Sequence, residues 1–351
     1  MNGGRVKFYI NTERISITKD GERSMKNPRT WNLWHGCHKC SEGCDDCYMF
    51  FTDSLRGVPE KSSTVSRTKD LLKPLTKNSK GQYKIPSGLT LSINMTSDTF
   101  LEEADGWRQE MWDVIKKRPD VIFYILTKRI QRIAECLPAD WNDGYENVSV
   151  NISVENQKRF DERWPILESV PAKHKGINLA PIIGPVDITP ALSSGQIDEV
   201  HISGEGFGGK RPCRYEWIED VSRQCEQHKV NFIVVSVGSV YIKDGVSYES
   251  GSFEKQARLA FETGLSRFYG KPEYRLFSPY DRHPLSDDEL IAPVFNRDEC
   301  AQCPVKIACP GCFNCGLCRD VILVDADGNL IKPMPENSDR KKLSTMSLDE
   351  F

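Results

Sequence analysis

Between residues 89 and 237 the chain repeats a pattern that few folds tolerate: a short β-rich apolar run, a polar turn, then an amphipathic stretch at helical spacing. The apolar runs are 89–94, 121–126, 148–154, 176–183, 199–203 and 231–237. Between them lie helix-like stretches at 106–117, 129–136, 157–169 and 214–229, where apolar residues recur every three or four positions, as in Trp107, Met111, Trp112 and Ile115. Such alternation builds parallel sheets, because a parallel strand needs a crossover and the crossover helices cover the faces. The run Val121-Ile122-Phe123-Tyr124-Ile125-Leu126 is nearly continuous in apolar side chains, as expected of a strand covered on both faces. With the run before Cys37 counted as the first strand, about seven β/α units fit, which predicts an α/β fold with a partial or full (β/α) TIM-like barrel.

The pattern stops near residue 240. Residues 1–30 read as an N-terminal extension, 31–240 as the barrel, 241–298 as a linker region, 299–333 as a Cys-rich extension and 334–351 as a polar tail. Within the linker region, 241–253 looks turn-like, 253–269 fits one helix, and 271–293 is rich in proline. Further on, Asp327-Gly328 marks the turn of a hairpin at 321–330. Lys+Arg 47 against Asp+Glu 50 gives a net charge of -3, which argues against a general polyanion binder but leaves room for a local basic patch. No apolar run approaches the ~18 residues of a membrane helix, and the N-terminus has no signal-peptide core. A cytoplasmic protein with no membrane partner is expected.

Thirteen cysteines in a reducing compartment imply metal rather than disulfides. Cys136, Cys213 and Cys225 stand alone and read as small buried hydrophobes. Cys37, Cys40, Cys44 and Cys47 form a tight cluster, and Cys300, Cys303, Cys309, Cys312, Cys315 and Cys318 form a second. In the first, either C-x3-C-x2-C from Cys40 or C-x6-C-x2-C from Cys37 suits a [4Fe-4S] cube with one open iron. All four could instead hold zinc as two C-x2-C knuckles, although the gap between the knuckles is far shorter than in zinc-finger patterns. The second cluster is close to a ferredoxin pattern and suits either a [4Fe-4S] cluster or a four-cysteine zinc site.

In β/α folds chemistry gathers where strands end, and the strand ends here are polar: Ser97-Asp98, Thr127-Lys128-Arg129, Ser153-Val154-Glu155-Asn156, Gly184-Pro185-Val186-Asp187 and Gly204-Glu205 through Arg211. With these, Trp31-Asn32, Gly36-Cys37, Gly43-Cys44 and Cys47-Tyr48 resemble the phage-associated three-Cys-motif family of radical S-adenosylmethionine (SAM) enzymes. That family is itself similar to the spore-photoproduct-lyase-like branch. The resemblance covers roughly residues 31–238. It implies a barrel of radical SAM type with a [4Fe-4S] cluster on Cys37, Cys44 and Cys47, while the superfamily's commonest spacing points to Cys40 as first ligand. It further implies reductive cleavage of SAM to a 5′-deoxyadenosyl radical, fed by a flavodoxin- or ferredoxin-type electron donor. Tyr48 would lie near the adenine, Ser97 and Asp98 near the amino group or ribose, and Lys128 or Arg129 at the carboxylate. Ser153, Glu155 and Asn156 would read the ribose hydroxyls, and Gly204 and Glu205 would open a backbone cradle. The expected substrate is a nucleic acid or nucleotide, met by Trp34, His35, His38, Lys39, Lys210 and Arg211. The competing expectation is a non-catalytic zinc-ribbon module that binds nucleic acid or protein.

Overall fold

Seven strands lie side by side, all parallel, in the order in which the chain makes them. They are β1 (Thr30–Trp31), β2 (Thr90–Ile93), β3 (Ile122–Thr127), β4 (Val148–Ser153), β5 (His174–Leu179), β6 (Glu199–Ser203) and β7 (Asn231–Ser236). The helices are α1 (Tyr48–Leu55), α2 (Asp105–Lys117), α3 (Gln157–Ser169), α4 (Tyr215–His228) and α5 (Phe253–Glu262), with shorter helical turns between them. The structure, a computed structural model, describes residues 30–206, 211–267 and 269–290 apart from 271, 287 and 288. It also describes two short antiparallel pairs, Ile15–Ile17 with Arg23–Met25 and Leu323–Val324 with Leu330–Ile331, the latter where the second hairpin is expected. The second cysteine cluster and the tail lie outside the described residues.

The sheet is strongly curled. Tyr124 stands on β3 and His201 on β6, which on a flat sheet would be about 14 Å apart, yet their rings lie 5.9 Å apart, centroid to centroid. Tyr124 Oη also meets Asn178 of β5 at 3.1 Å. β7 does not close onto β1, so the barrel is partial, a half-barrel; one edge of β7 is covered by a bridge between Phe232 and Arg267.

The two faces of the sheet differ in chemistry. In β4, Val148, Val150 and Ile152 join the apolar core, while Ser149, Asn151 and Ser153 alternate with them on the concave side and are equally buried. Asn178 and His201 continue that polar face. The interior is therefore not the layered apolar filling of a closed barrel, and the expectation of strands apolar on both faces holds for parts of β3 and β7. Burying these groups is tolerable because they bond one another: Ser149 with Asn151, and Asn178 with Tyr124.

Three local expectations are corrected. β5 begins at His174, ahead of the expected run, because His174 pairs with Asp198 at 2.9 Å and Lys175 donates to Gln196 Oε1 at 2.5 Å and to Glu168 O. Its end precedes Ala180-Pro181, since proline has no N–H for the ladder. The turn-like stretch after 240 is a hairpin, Val240–Lys243 with Val246–Glu249, turning on Asp244 and Gly245, both at positive φ. The helix beyond it stops at Glu262, with Gly264 at φ 65 ending it. α5 packs on β7, so the core continues past residue 240. The proline-rich stretch is folded against the N-terminal ends of the strands: Phe277 N–H donates to Pro119 O, and the Tyr274 ring lies 3.9 Å from that of His174.

Arg118 ties that end together. Its buried guanidinium donates to Ile85 O at 2.6 Å, to Pro74 O and to both carboxylate oxygens of buried Asp120. Arg118→Met leaves Asp120 buried without its cation and is expected to cost about 3–5 kcal/mol, measured as a lower urea midpoint at unchanged m-value.

Candidate functional site at the mouth of the half-barrel

The first cysteine cluster sits where β1 ends. Beyond β1, Trp34–His35 pairs antiparallel with Ser66–Arg67, which turns the chain back across the strand ends. Gly36 makes the next bend at φ 94, and a Cβ there would collide with Thr64 O, so no other residue passes. Cys37 N–H donates to Ser62 O at 2.8 Å, and Ser97 Oγ donates to Gly36 O at 2.5 Å. A 3-10 turn, Glu42–Cys44, then leads to Cys47, the N-cap of α1. Behind the loop, Asp53 Oδ2 bonds His35 Nε2 at 2.6 Å and accepts from Ser62 Oγ at 2.9 Å, which braces α1 against the start of the cluster.

Cys44 is buried, Cys37 and Cys47 are half-buried and Cys40 is exposed. Burial pushes the Cys37 thiol up to about 12 and raises Cys47 as well. Cys40 and Cys44 are free thiols, of which Cys44 is the one held low, by a hydrogen bond from Cys40 and by the Lys128 cation. Arg129 Nη1 donates to Cys37 Sγ at 3.8 Å, and its Nη2 to His38 O at 2.6 Å. Two cations from the end of β3 thus flank the thiols. Among the described residues no three His, Cys, Asp or Glu side chains form a closed metal-holding group. The donor set nevertheless fits an iron–sulfur cluster or zinc in kind: soft thiols gathered on one loop, with positive charge beside them to favour the thiolates that a metal binds.

Glu155 holds the loop in place. Its Oε1 accepts from Lys128 Nζ and, at 2.7 Å, from Ser41 Oγ; its Oε2 accepts from Arg163 at 2.8 Å. Gly43 lies so close that a Cβ on it would strike the Glu155 side chain. Burial alone would raise this carboxyl, but Lys128 and Arg163 outweigh it and hold it below the usual carboxylate range. The ion pairs therefore stabilise the site at neutral pH and are lost as pH falls through that depressed value.

The sequence-predicted residues divide into groups. Asp98 is buried and caps its own neighbourhood, accepting from Phe100 N, Thr127 Oγ1 and Lys128 N at 3.0, 2.7 and 2.9 Å. Asn156 is the N-cap of α3, accepting from Arg159 N, and Ser153 is buried with its carbonyl taken by Arg163. Tyr48 donates to Met95 O. Gly204 passes against Val237 O, and buried Glu205 is gripped by Arg211, which also reaches Asp45 of the cysteine loop at 3.4 Å. Trp34 is no base-stacking platform: it is fully buried, its indole N–H donating to Asp98 O. His35 is spent on Asp53, Lys39 donates to Asp45 O, His38 pairs with Glu103 at 2.5 Å, and Lys210 lies outside the described residues. Sequence reasoning named Gly43 only as part of a motif, and it missed Ser41, Arg163 and the concave-face residues Tyr124, Asn178 and His201; a period-two reading of Val-Ser-Val-Asn-Ile-Ser would have exposed that face.

A family described as a protein of unknown function (DUF5131) has a model that matches residues 26–267. The chain belongs to this family. The DUF5131 match takes in all seven strands, the first cysteine cluster and α5, and it ends before the second cluster. No curated protein and no solved structure matches the chain.

Gly43→Ala is expected to lift the loop from Glu155 without unfolding the sheet. Cys44 should then react with a thiol reagent at least about tenfold faster, since a local opening costs less than global unfolding, while the far-UV circular dichroism stays unchanged.

Proposed function

We propose that this protein is a radical SAM iron–sulfur enzyme acting on a nucleic acid or nucleotide, with an electron donor of flavodoxin or ferredoxin type and a reducing, cytoplasmic setting. The observation that supports it best is the meeting of the Cys37–Cys47 loop with Lys128, Arg129 and the Glu155 clamp at the C-terminal ends of an in-order, curled parallel sheet. Cys37, Cys44 and Cys47 are the thiols that would hold a [4Fe-4S] cluster, with exposed Cys40 as the spare. Bound there, such a cluster supplies an open iron for the SAM amino and carboxylate groups and the electron that cleaves SAM to a 5′-deoxyadenosyl radical.

The chain's own residues then have definite tasks. Arg129, hydrogen-bonded to the Cys37 sulfur, neutralises thiolate charge and offers its remaining N–H groups to a carboxylate. Glu155 keeps Lys128 and the loop fixed, so neither reorganises during the reaction. Cys300 to Cys318 would add a second [4Fe-4S] or zinc site.

Anaerobic reconstitution followed by SAM and dithionite tests the reading. The wild type should turn brown, hold about four more irons and four more sulfides than the Cys37/Cys44/Cys47→Ala variant, and release 5′-deoxyadenosine; Cys40→Ala should keep both properties. Zinc without sulfide at this loop, or a loaded cluster that leaves SAM intact, would overturn it.

A further inference from the structure

The net charge of -3 conceals an uneven distribution. Residues 73–84 carry Lys73, Lys77, Lys80 and Lys84 and no acidic residue. They lie at the pole opposite the cysteine loop, since this stretch leads into the N-terminal end of β2. Lys73 is spent on Thr30 O, but Lys77, Lys80 and Lys84 are exposed.

This surface is an ordered structure. Lys77 and Tyr83 pair as an antiparallel bridge, and Asn78 Oδ1 accepts from Lys80 N and Gln82 N at 2.9 and 3.0 Å, closing a turn on Gly81 at φ 77. Tyr83 rests on the locked guanidinium of Arg118, 4.1 Å from its ring centroid. Tyr280, 64% exposed, lies 5.7 Å from Tyr83, and the Lys77 ammonium sits over both rings. Arg282 is exposed beside Tyr280 and is anchored on Lys116 O. The nearby acids Asp281 and Glu289 are both engaged by His283, at 2.7 and 2.9 Å.

We propose that this pole is a binding surface for single-stranded nucleic acid, with phosphates on Lys77, Lys80, Lys84 and Arg282 and a base stacked on Tyr280, which Tyr83 supports. Interleaved cations and exposed aromatic rings are what an unpaired strand requires, because every base has a face to stack and every nucleotide a phosphate to neutralise. An acidic peptide or an anionic membrane would use the lysines but gain little from the rings. A duplex keeps its bases stacked inside and cannot reach them. The proposal stands apart from the chemistry of the cysteine loop, which it does not require.

Fluorescence anisotropy of the full-length chain with labelled oligothymidylate, across a salt series, tests it. Binding should weaken linearly in the logarithm of salt. The Lys77→Glu/Lys80→Glu/Lys84→Glu variant should lose at least about tenfold in affinity and lower the log–log slope by about 2, the share of three phosphate contacts. Tyr280→Ala should weaken binding about fivefold or more at an unchanged slope, and a duplex of equal length should bind less tightly. If the triple variant melts early, Lys80→Glu at the turn takes its place. Wild-type affinity in the charge variant overturns the proposal. So does a silent Tyr280→Ala together with polyglutamate competing as well as unlabelled strand, which would mark a general polyanion patch.

Discussion

A buried carboxylate organises the mouth of this molecule. Taking Glu155 out of water costs several kcal/mol unless both oxygens find strong donors, and here they find Lys128, Arg163 and Ser41. These partners come from the end of β3, from α3 and from the cysteine loop, so the group that most needs neutralising also joins three segments far apart in sequence. Removing Arg163 would leave Oε2 buried without its donor, while Oε1 would keep Lys128 and Ser41. The loop can be rich in reactive thiols and still be held, because its firmest attachment runs through Ser41 and Gly43 rather than through the sulfurs.

That arrangement depends in turn on the order of the strands. An in-order parallel sheet brings all its C-terminal ends to one rim and puts the loops after β1, β3 and β4 beside one another. Curling then faces β3 toward β6, which allows Tyr124, Asn178 and His201 to form one polar network rather than isolated buried groups. Such a face excludes the apolar packing that would otherwise fill the interior.

Much of the sheet was legible in the sequence because the outward face follows simple apolar rules. Six of the apolar runs overlap strands β2 to β7, and the expectation of about seven units matches the seven strands. What stayed hidden was hidden by satisfaction of polar groups. His174 and Lys175 look like surface residues until Asp198 and Gln196 are folded against them. The 240–249 hairpin was obscured by serine and glycine, although Asp244-Gly245 carries the same turn signal that was legible at Asp327-Gly328. At the site, spacing grouped the four cysteines and strand-end position found Lys128, Arg129 and Glu155. Neither could show that Glu155 turns inward to the loop, because that follows from the size of Gly43, which touches it in space but lies more than a hundred residues away in sequence.

The two poles divide the remaining requirements. The chemistry proposed at the rim would need groups held still in a largely dry place, which Glu155 and the buried Trp34 supply. Holding a long polymer needs charge and flat apolar area open to water, which would compromise that rim if placed there. On the opposite pole the same cation that closes the fold, Arg118, also supports Tyr83 from beneath. Tyr83 in turn lies against the exposed Tyr280 ring, and a platform already braced loses little further freedom when a base stacks on it, so more of the stacking energy would remain as affinity. The stiffness that Arg118 gives the end of the sheet would therefore serve the proposed recognition as well as stability.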